Sequence, residues 1–211
     1  SHQMLIASEP QLFELTTSRW VDLGLPSGIL WAAYNVGATS PEEYGNYYAW
    51  AETSTKNNYT YDNYLYRSHD ELDYKVINNI SGTKYDAANK EWGDGARIPT
   101  LSELTTLKTK CSWKINSYNG IKGVTCTGPN GNSIFIPFSG IMEGSIAYDR
   151  GSLGTIWGDS LEDIEEPDDA YYLWMEICSE HGLDIDIDAG WEREYGMPIR
   201  PVKDPESENT K

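Results

Sequence analysis

The stretch from Trp157 to Gly196 constrains this chain most. It holds fourteen Asp and Glu and one basic residue, Arg193, and so carries most of the formal net charge of −17. Charge concentrated in one place describes a surface rather than a whole chain. The stretch also alternates. From Tyr171 to Cys178 the odd positions are Tyr, Leu, Met and Ile, and the even ones are Tyr172, Trp174, Glu176 and Cys178. From Leu183 to Asp188 the odd positions are Leu and two Ile, and the even ones are Asp184, Asp186 and Asp188. Strand side chains point to opposite faces in turn, so each run has one apolar face. Ser179-Glu180-His181-Gly182 between them is short, polar and contains glycine, as a hairpin loop should. The pattern predicts an antiparallel hairpin with a core face and an outer face. The outer face carries Tyr172, Trp174 and Glu176 beside Asp184, Asp186 and Asp188.

The totals narrow the classes. A chain of 211 residues has material for one large domain or two small ones. Tyr (15) and Trp (8) outnumber Phe (3), and rings with a polar handle suit binding surfaces. The acidic balance argues against nucleic acid, whose phosphates need a basic patch, and against anionic membrane surfaces. No apolar run approaches the roughly 20 residues of a transmembrane helix. Ser1-His2-Gln3-Met4 reads as a tag remnant, so a signal peptide or lipid anchor is expected to have been lost before it. The three cysteines, Cys111, Cys126 and Cys178, form no CxxC, which leaves no zinc site and no disulfide framework. Cys111 and Cys126 stay open between a pair in an oxidising compartment and two free buried thiols.

Along the chain, residues 1–17 read as a leader segment and 204–211 as a polar, disordered tail. Trp20 to Ala32 reads as two short strands around Pro26-Ser27-Gly28. Ser40-Pro41-Glu42-Glu43 has the signature of a short helix start. Glu52 to Lys84 reads as a long surface loop. A short helix is expected from Tyr85 to Trp92, ending at Gly93. Thr100 and Glu103 form a capping box that opens a helix to about Cys111, with Leu101, Leu104 and Leu107 on one face. Strands are expected at Ile121–Thr127 and Ser133–Pro137, a glycine-punctuated loop at Gly140–Gly154, and a closing strand at Gly196–Val202. Residues 18–203 then form a single α+β domain.

Several segments carry a family resemblance. They are Val21-Asp22-Leu23-Gly24-Leu25-Pro26-Ser27-Gly28, Leu30-Trp31-Ala32, Asn35-Val36-Gly37-Ala38 and Pro41-Glu42-Glu43-Tyr44-Gly45 with Tyr47-Tyr48-Ala49-Trp50. Tyr85-Asp86-Ala87-Ala88, Arg97-Ile98-Pro99-Thr100, Gly128 to Pro137 and Ile199-Arg200-Pro201-Val202 continue the series. In this order they resemble the major paralogous domain first named from Fibrobacter succinogenes, widespread in secreted and surface lipoproteins of gut bacteria. The resemblance runs from about Val21 to Val202. It implies a C-type-lectin-like fold, related to the formylglycine-generating-enzyme type, with two short helices packed on a twisted antiparallel sheet with long loops. It also implies an extracellular or cell-surface location and a variable C-terminal face. Two departures matter. Ala33-Tyr34 stands where the family has Thr-Cys, so a disulfide from there to Cys111 is unavailable. Ile156-Trp157-Gly158-Asp159 stands where relatives have Tyr-Trp-Ser-Ser.

The residues suggest chemistry in three ways. Glu166-Pro167-Asp168 resembles the triplets with which C-type lectins hold calcium and sugar, so Glu166, Asp168 and Asp169 are the candidate calcium ligands, against the plain alternative of a solvated acidic loop. An EF-hand starting at Asp184 is excluded, because Ala189 and Tyr195 occupy the positions that need Gly and Glu. Catalysis has little support: the cysteines match no formylglycine-generating pair, His2, His69 and His181 are scattered, and an acid-rich surface produces carboxylate pairs without catalytic purpose. A retroelement-diversified display protein is disfavoured by the many Glu and by Trp174 and Trp191, which adenine-directed changes in Asn codons do not reach. The expectation is a non-enzymatic secreted or surface binding domain, adhesin-like or lectin-like. It would recognise a carbohydrate or a protein, and the acidic face predicts a cationic partner or a calcium-bridged one. Its candidate ligand-binding residues are Asp159, Glu162, Asp163, Asp168, Asp169, Tyr172, Trp174, Glu176, Asp184, Asp186, Asp188, Trp191, Arg193 and Tyr195. The alternative from another class is a structural subunit of a surface fibre, in which the acidic face only confers solubility.

Overall fold

Short antiparallel strands, some of them with alternating apolar residues, frame this chain. The computed structural model describes residues 19–67 and 78–207. The leader expected over residues 1–17 lies outside the described residues, as do 208–211 of the expected tail. The fold is mixed α+β, mostly antiparallel, with two short α-helices among the described residues. Strands β1 (Trp20–Asp22), β2 (Leu30–Ala32) and β11 (Val202–Lys203) form one sheet in the order β1-β2-β11, which joins the two ends of the domain. Strands β3 (Ser112–Tyr118), β4 (Ile121–Thr127) and β5 (Ser133–Pro137) form a meander, β6 (Ile141–Glu143) and β7 (Ile146–Tyr148) a hairpin, and β8 (Leu153–Leu161), β9 (Ala170–Cys178) and β10 (Gly182–Asp188) a second meander.

Local signals explain the helices. Helix α1 (Ala87–Trp92) is capped by the Asp86 side chain, which accepts from the Asn89 N–H at 3.1 Å, and it stops at Gly93, where φ is 57°. Helix α2 (Leu101–Lys110) carries the expected capping box: Thr100 Oγ1 accepts from the Glu103 N–H at 3.1 Å, and Glu103 Oε1 accepts from the Thr100 N–H at 2.9 Å. Each such cap is worth about 1 kcal/mol. Leu104 and Leu107 are buried beneath this helix, while Leu101 is half-buried. None of the described helices is long and apolar enough to cross a membrane.

Strand β8 divides the core in two. All nine of its residues are buried. Leu153 and Trp157 enter one core with Tyr48, Trp50 and Met197, and Ile156 enters the other with Leu104, Phe138 and Leu173. The register shifts by two residues between Trp157 and Leu161, which keeps the alternation, and Leu161 joins the first core as well. Gly158 makes the helix side close enough: a Cβ there would stand 3.0 Å from Leu104 Cδ1 and 2.9 Å from the Tyr171 carbonyl.

Several expected elements differ. The Ser40–Glu43 helix does not form; the Glu43 carboxylate turns back to accept from the Thr39 N–H at 2.9 Å, and the chain bends on to Gly45 at φ 73°. The expected loop at Gly140–Gly154 contains the β6–β7 hairpin, and β3 was not foreseen. Of the closing strand only Val202 joins a ladder; Gly196 and Met197 make single bridges to Met142 and Tyr48. The Glu52–Lys84 loop contains one turn of 3-10 helix, Tyr61–Asn63, and its residues 68–77 lie outside the described residues. The three cysteines are free thiols, and the hydrogen bond with Cys111 together with burial pushes the Cys126 pKa up.

Candidate functional site

The expected hairpin forms, and its register places Asp184 opposite Glu176, Asp186 opposite Trp174 and Asp188 opposite Tyr172. Directly opposed residues share a face, so these six side chains belong to one side of the sheet. That side is not uniform. Leu153, Thr155 and Trp157 of β8 are buried on it, and so is Tyr172. Trp174, Glu176 and Asp184 are half-buried, and Asp186 and Asp188 on the edge strand are exposed.

The acids on this margin are largely unneutralised. Lys108 reaches from α2 to within 3.1 Å of Asp186 Oδ1. Among the described residues no basic side chain pairs with Asp184, Asp188 or Glu176. The Trp174 Nε1–H donates to Glu176 Oε2 at 3.0 Å, and Asp188 Oδ1 accepts from the N–H groups of Ala189 (2.7 Å) and Gly190 (3.1 Å). Like charges placed directly across a ladder destabilise it, and Asp184 faces Glu176. Asp184→Asn is therefore expected to raise stability by about 0.2–1 kcal/mol at low salt, read from chemical denaturation. A loss of stability would mean that the acid is part of the scaffold.

Tyr172, Asp159 and Arg193 correct the expected face. Tyr172 is fully buried, because it stands opposite Trp157 and packs edge-on against it at 5.9 Å; burial and the nearby Asp188 raise its pKa. Asp159 is buried at the start of α2, where its Oδ1 accepts from the Leu101 N–H and the Ser160 hydroxyl, both at 3.1 Å. Its carboxylate completes a helix start, and burial raises its pKa. Arg193 is buried as well. Its Nη2 donates to the Tyr66 carbonyl at 3.2 Å, and its guanidinium carbon lies 5.5 Å from the Tyr64 ring centre. It braces the 64–66 segment and is withdrawn from solvent.

Glu162, Asp163, Glu166 and Asp168 are exposed in the loop before β9, and Asp169 is half-buried. Asp163 Oδ1 accepts from the Glu165 N–H at 2.8 Å, and Asp169 makes a bridge to Glu192. Burial, then Glu162, Asp168 and Glu192, raise the Asp169 pKa. Among the described residues no group of three His, Cys, Asp or Glu lies close enough together to hold a metal ion. Melting with calcium and with a chelator tests Glu166, Asp168 and Asp169 as calcium ligands: a rise of several degrees with calcium would support them, and an equal Tm would leave a solvated acidic loop.

The structure also brings together a site that the sequence reading missed. A cavity of about 340 Å³ is walled by Tyr59, Tyr61, Tyr148 and Tyr195 with Glu143 and Glu194. Backbone pairing builds it. Tyr59 and Gly144 exchange N–H···O bonds of 2.7 and 2.8 Å, and Met142 and Gly196 exchange two of 2.8 Å. Gly196 must be small: a Cβ there would stand 2.7 Å from Tyr59 Cε1. Tyr61 and Tyr148 are 56 % and 45 % exposed and form the rim, while Glu194 is buried. Burial and a proton shared with Glu192 push the Glu194 pKa up to about 7. Burial and the neighbouring Glu143, Glu192 and Glu194 raise that of Tyr195. Trp191 stands edge-on to Tyr195 at 5.3 Å and packs against the first core.

No family model matches the chain, and no curated protein or solved structure matches it.

Of the expected residues, the structure gathers Trp174, Glu176, Asp184, Asp186 and Asp188 on one margin. Trp191 and Tyr195 lie beside the cavity, and Glu162, Asp163, Glu166, Asp168 and Asp169 lie in a separate loop. Tyr195 alone of the expected set lines the cavity. Tyr59, Tyr61, Glu143, Tyr148 and Glu194 carried no sequence signal beyond the general excess of Tyr and acid.

Proposed function

We propose that the chain is a non-enzymatic binding domain of C-type-lectin-like architecture, secreted or displayed at a cell surface. It recognises a carbohydrate or protein ligand through the acidic margin of the β9–β10 hairpin. The observation that carries this reading is the Asp184–Glu176 pair. Two carboxylates stand opposite each other on an edge, next to the half-buried Trp174, and no basic side chain among the described residues serves either. A face that only keeps a protein soluble has no need of paired like charges. A cationic partner would neutralise them, and Trp174 would anchor it. The lectin-like architecture rests on the segments from Val21 to Val202 and agrees with the two short helices and antiparallel meanders. To test the function, parent protein and the Asp184→Asn, Asp186→Asn, Asp188→Asn triple variant are applied to glycan and protein arrays. The parent should retain ligands that the variant loses. No ligand for the parent, or equal retention, would defeat the proposal.

A second reading, a subunit of a surface fibre, is favoured by one observation. Among the described residues strand β3 is an edge, paired with β4 alone, and six of its seven residues are exposed, including Ile115 and Tyr118. A free strand edge can pair with another chain. Sedimentation at increasing concentration separates the readings: ordered, concentration-dependent oligomers favour the fibre, and a monomer throughout favours the binding domain.

A further inference from the structure

We propose that the tyrosine-walled cavity is a binding site for an organic ammonium group. This inference goes beyond the hairpin margin and does not rest on it. Three observations carry it. The first is the cavity, about 340 Å³, at the small end of the roughly 300–1,000 Å³ range of small-molecule sites. The second is the rings. A cation is attracted to the face of an aromatic ring, and this protein already uses such contacts: Lys56 lies 5.9 Å from the Tyr59 ring, Arg150 4.6 Å from Tyr44, and Arg193 5.5 Å from Tyr64. Among the described residues Tyr61, Tyr148 and Tyr195 have no cation over them, and the first two stand exposed at the mouth.

The third observation is the charge. No residue lining the cavity is basic, and neither Glu143 nor Glu194 has an ion-pair partner among the described residues. Glu194 is 8 % exposed and shares a proton with Glu192, so ionising both carboxylates is costly without a paired charge. An entering ammonium group would supply that charge and meet the ring faces at the same time. A neutral sugar could use the tyrosine hydroxyls as donors and the carboxylates as acceptors, but it would leave the Glu143 and Glu194 charges unpaired. The bound head group would therefore be compact and cationic, either a methylated ammonium of a small molecule or the ε-ammonium of a lysine on a partner protein.

The test is calorimetric titration at about pH 8, above the Glu194 pKa of about 7, and at low salt. The probes are choline, N-acetyl-lysine amide, the neutral choline isostere 3,3-dimethylbutan-1-ol, and glucose. At least one ammonium probe should bind, with the isostere at least about tenfold weaker than choline, and the stronger of the two ammonium probes identifies the source. Tyr61→Ala and Tyr148→Ala should each weaken binding about two- to tenfold, as loss of one cation–π contact does. Both rings are on the rim, so an unchanged Tm should show that the variants still fold. The Asp184→Asn, Asp186→Asn, Asp188→Asn triple variant should bind the probe as the parent does. The proposal is overturned if neither ammonium probe binds at millimolar concentration, or if choline and its isostere bind alike. It is also overturned if glucose binds in their place, or if the triple variant loses as much affinity as the rim variants, which would make the attraction a diffuse effect of net charge.

Discussion

Arg200→Met is expected to lower the unfolding free energy by about 3–5 kcal/mol, because three buried acceptors lose a charged donor at about 1–2 kcal/mol each. Arg200 is fully buried in the segment just before β11. Its Nε–H donates to Asn35 Oδ1 at 2.7 Å, Nη1 to the Ala32 carbonyl at 3.2 Å and Nη2 to the Phe135 carbonyl at 2.9 Å. One guanidinium thereby ties the end of β2, the following turn and β5 together. Asn35 is held in turn, since its Nδ2 donates to the Tyr44 carbonyl at 2.9 Å. Burial lowers the Arg200 pKa to about 9, so the group is still protonated at neutral pH. Lysine could not replace it, because a single ammonium does not span three acceptors set around a planar fork. Chemical denaturation gives the answer, and a loss under about 1 kcal/mol would show that these bonds are not what joins the sheets.

Trp157→Ala should cost a similar amount, about 3–5 kcal/mol, as large-to-small changes of buried tryptophan do. Trp157 is 1 % exposed, its Nε1–H donates to the Tyr48 carbonyl at 2.7 Å, and its ring meets Tyr172 edge-on. The substitution opens a cavity on the side of β8 that faces the first core and leaves the Tyr48 carbonyl without its donor. Trp157→Phe keeps most of the apolar area and loses the N–H, so it should cost less, about 1–2 kcal/mol. Denaturation of both variants checks the order. Equal losses would place the cost in the hydrogen bond alone.

Elements that declare themselves locally were legible in the sequence. The capping box of α2 needs only Thr100 and Glu103, and the β9–β10 hairpin needs only its alternation and the glycine loop. The strands β6 and β7 are three residues each and exist through their pairing, so periodicity could not reveal them. The outer face of the hairpin was legible only in part. Alternation separates two faces of a strand but does not say whether the second face meets water or another core. At Tyr172 it meets another core, because Trp157 stands opposite. Asp159 and Arg193 look like surface charges in a linear reading; the first ends up at a helix start and the second under Tyr64 and Tyr66. The tyrosine cavity was not legible at all. Its walls come from residues 59–61, 143–148 and 194–195, joined by single bridges between distant segments.

Asp184 stands opposite Glu176 at a cost in stability, and a partner that uses the margin acids would account for it. The most direct measurement takes the Asp184→Asn variant and follows two quantities in one preparation, the unfolding free energy at low salt and retention of the parent's array ligands. A variant that is at least as stable as the parent and has lost those ligands is the predicted result. A variant that is less stable, or that still binds every ligand, would contradict the claim and make this carboxylate part of the scaffold.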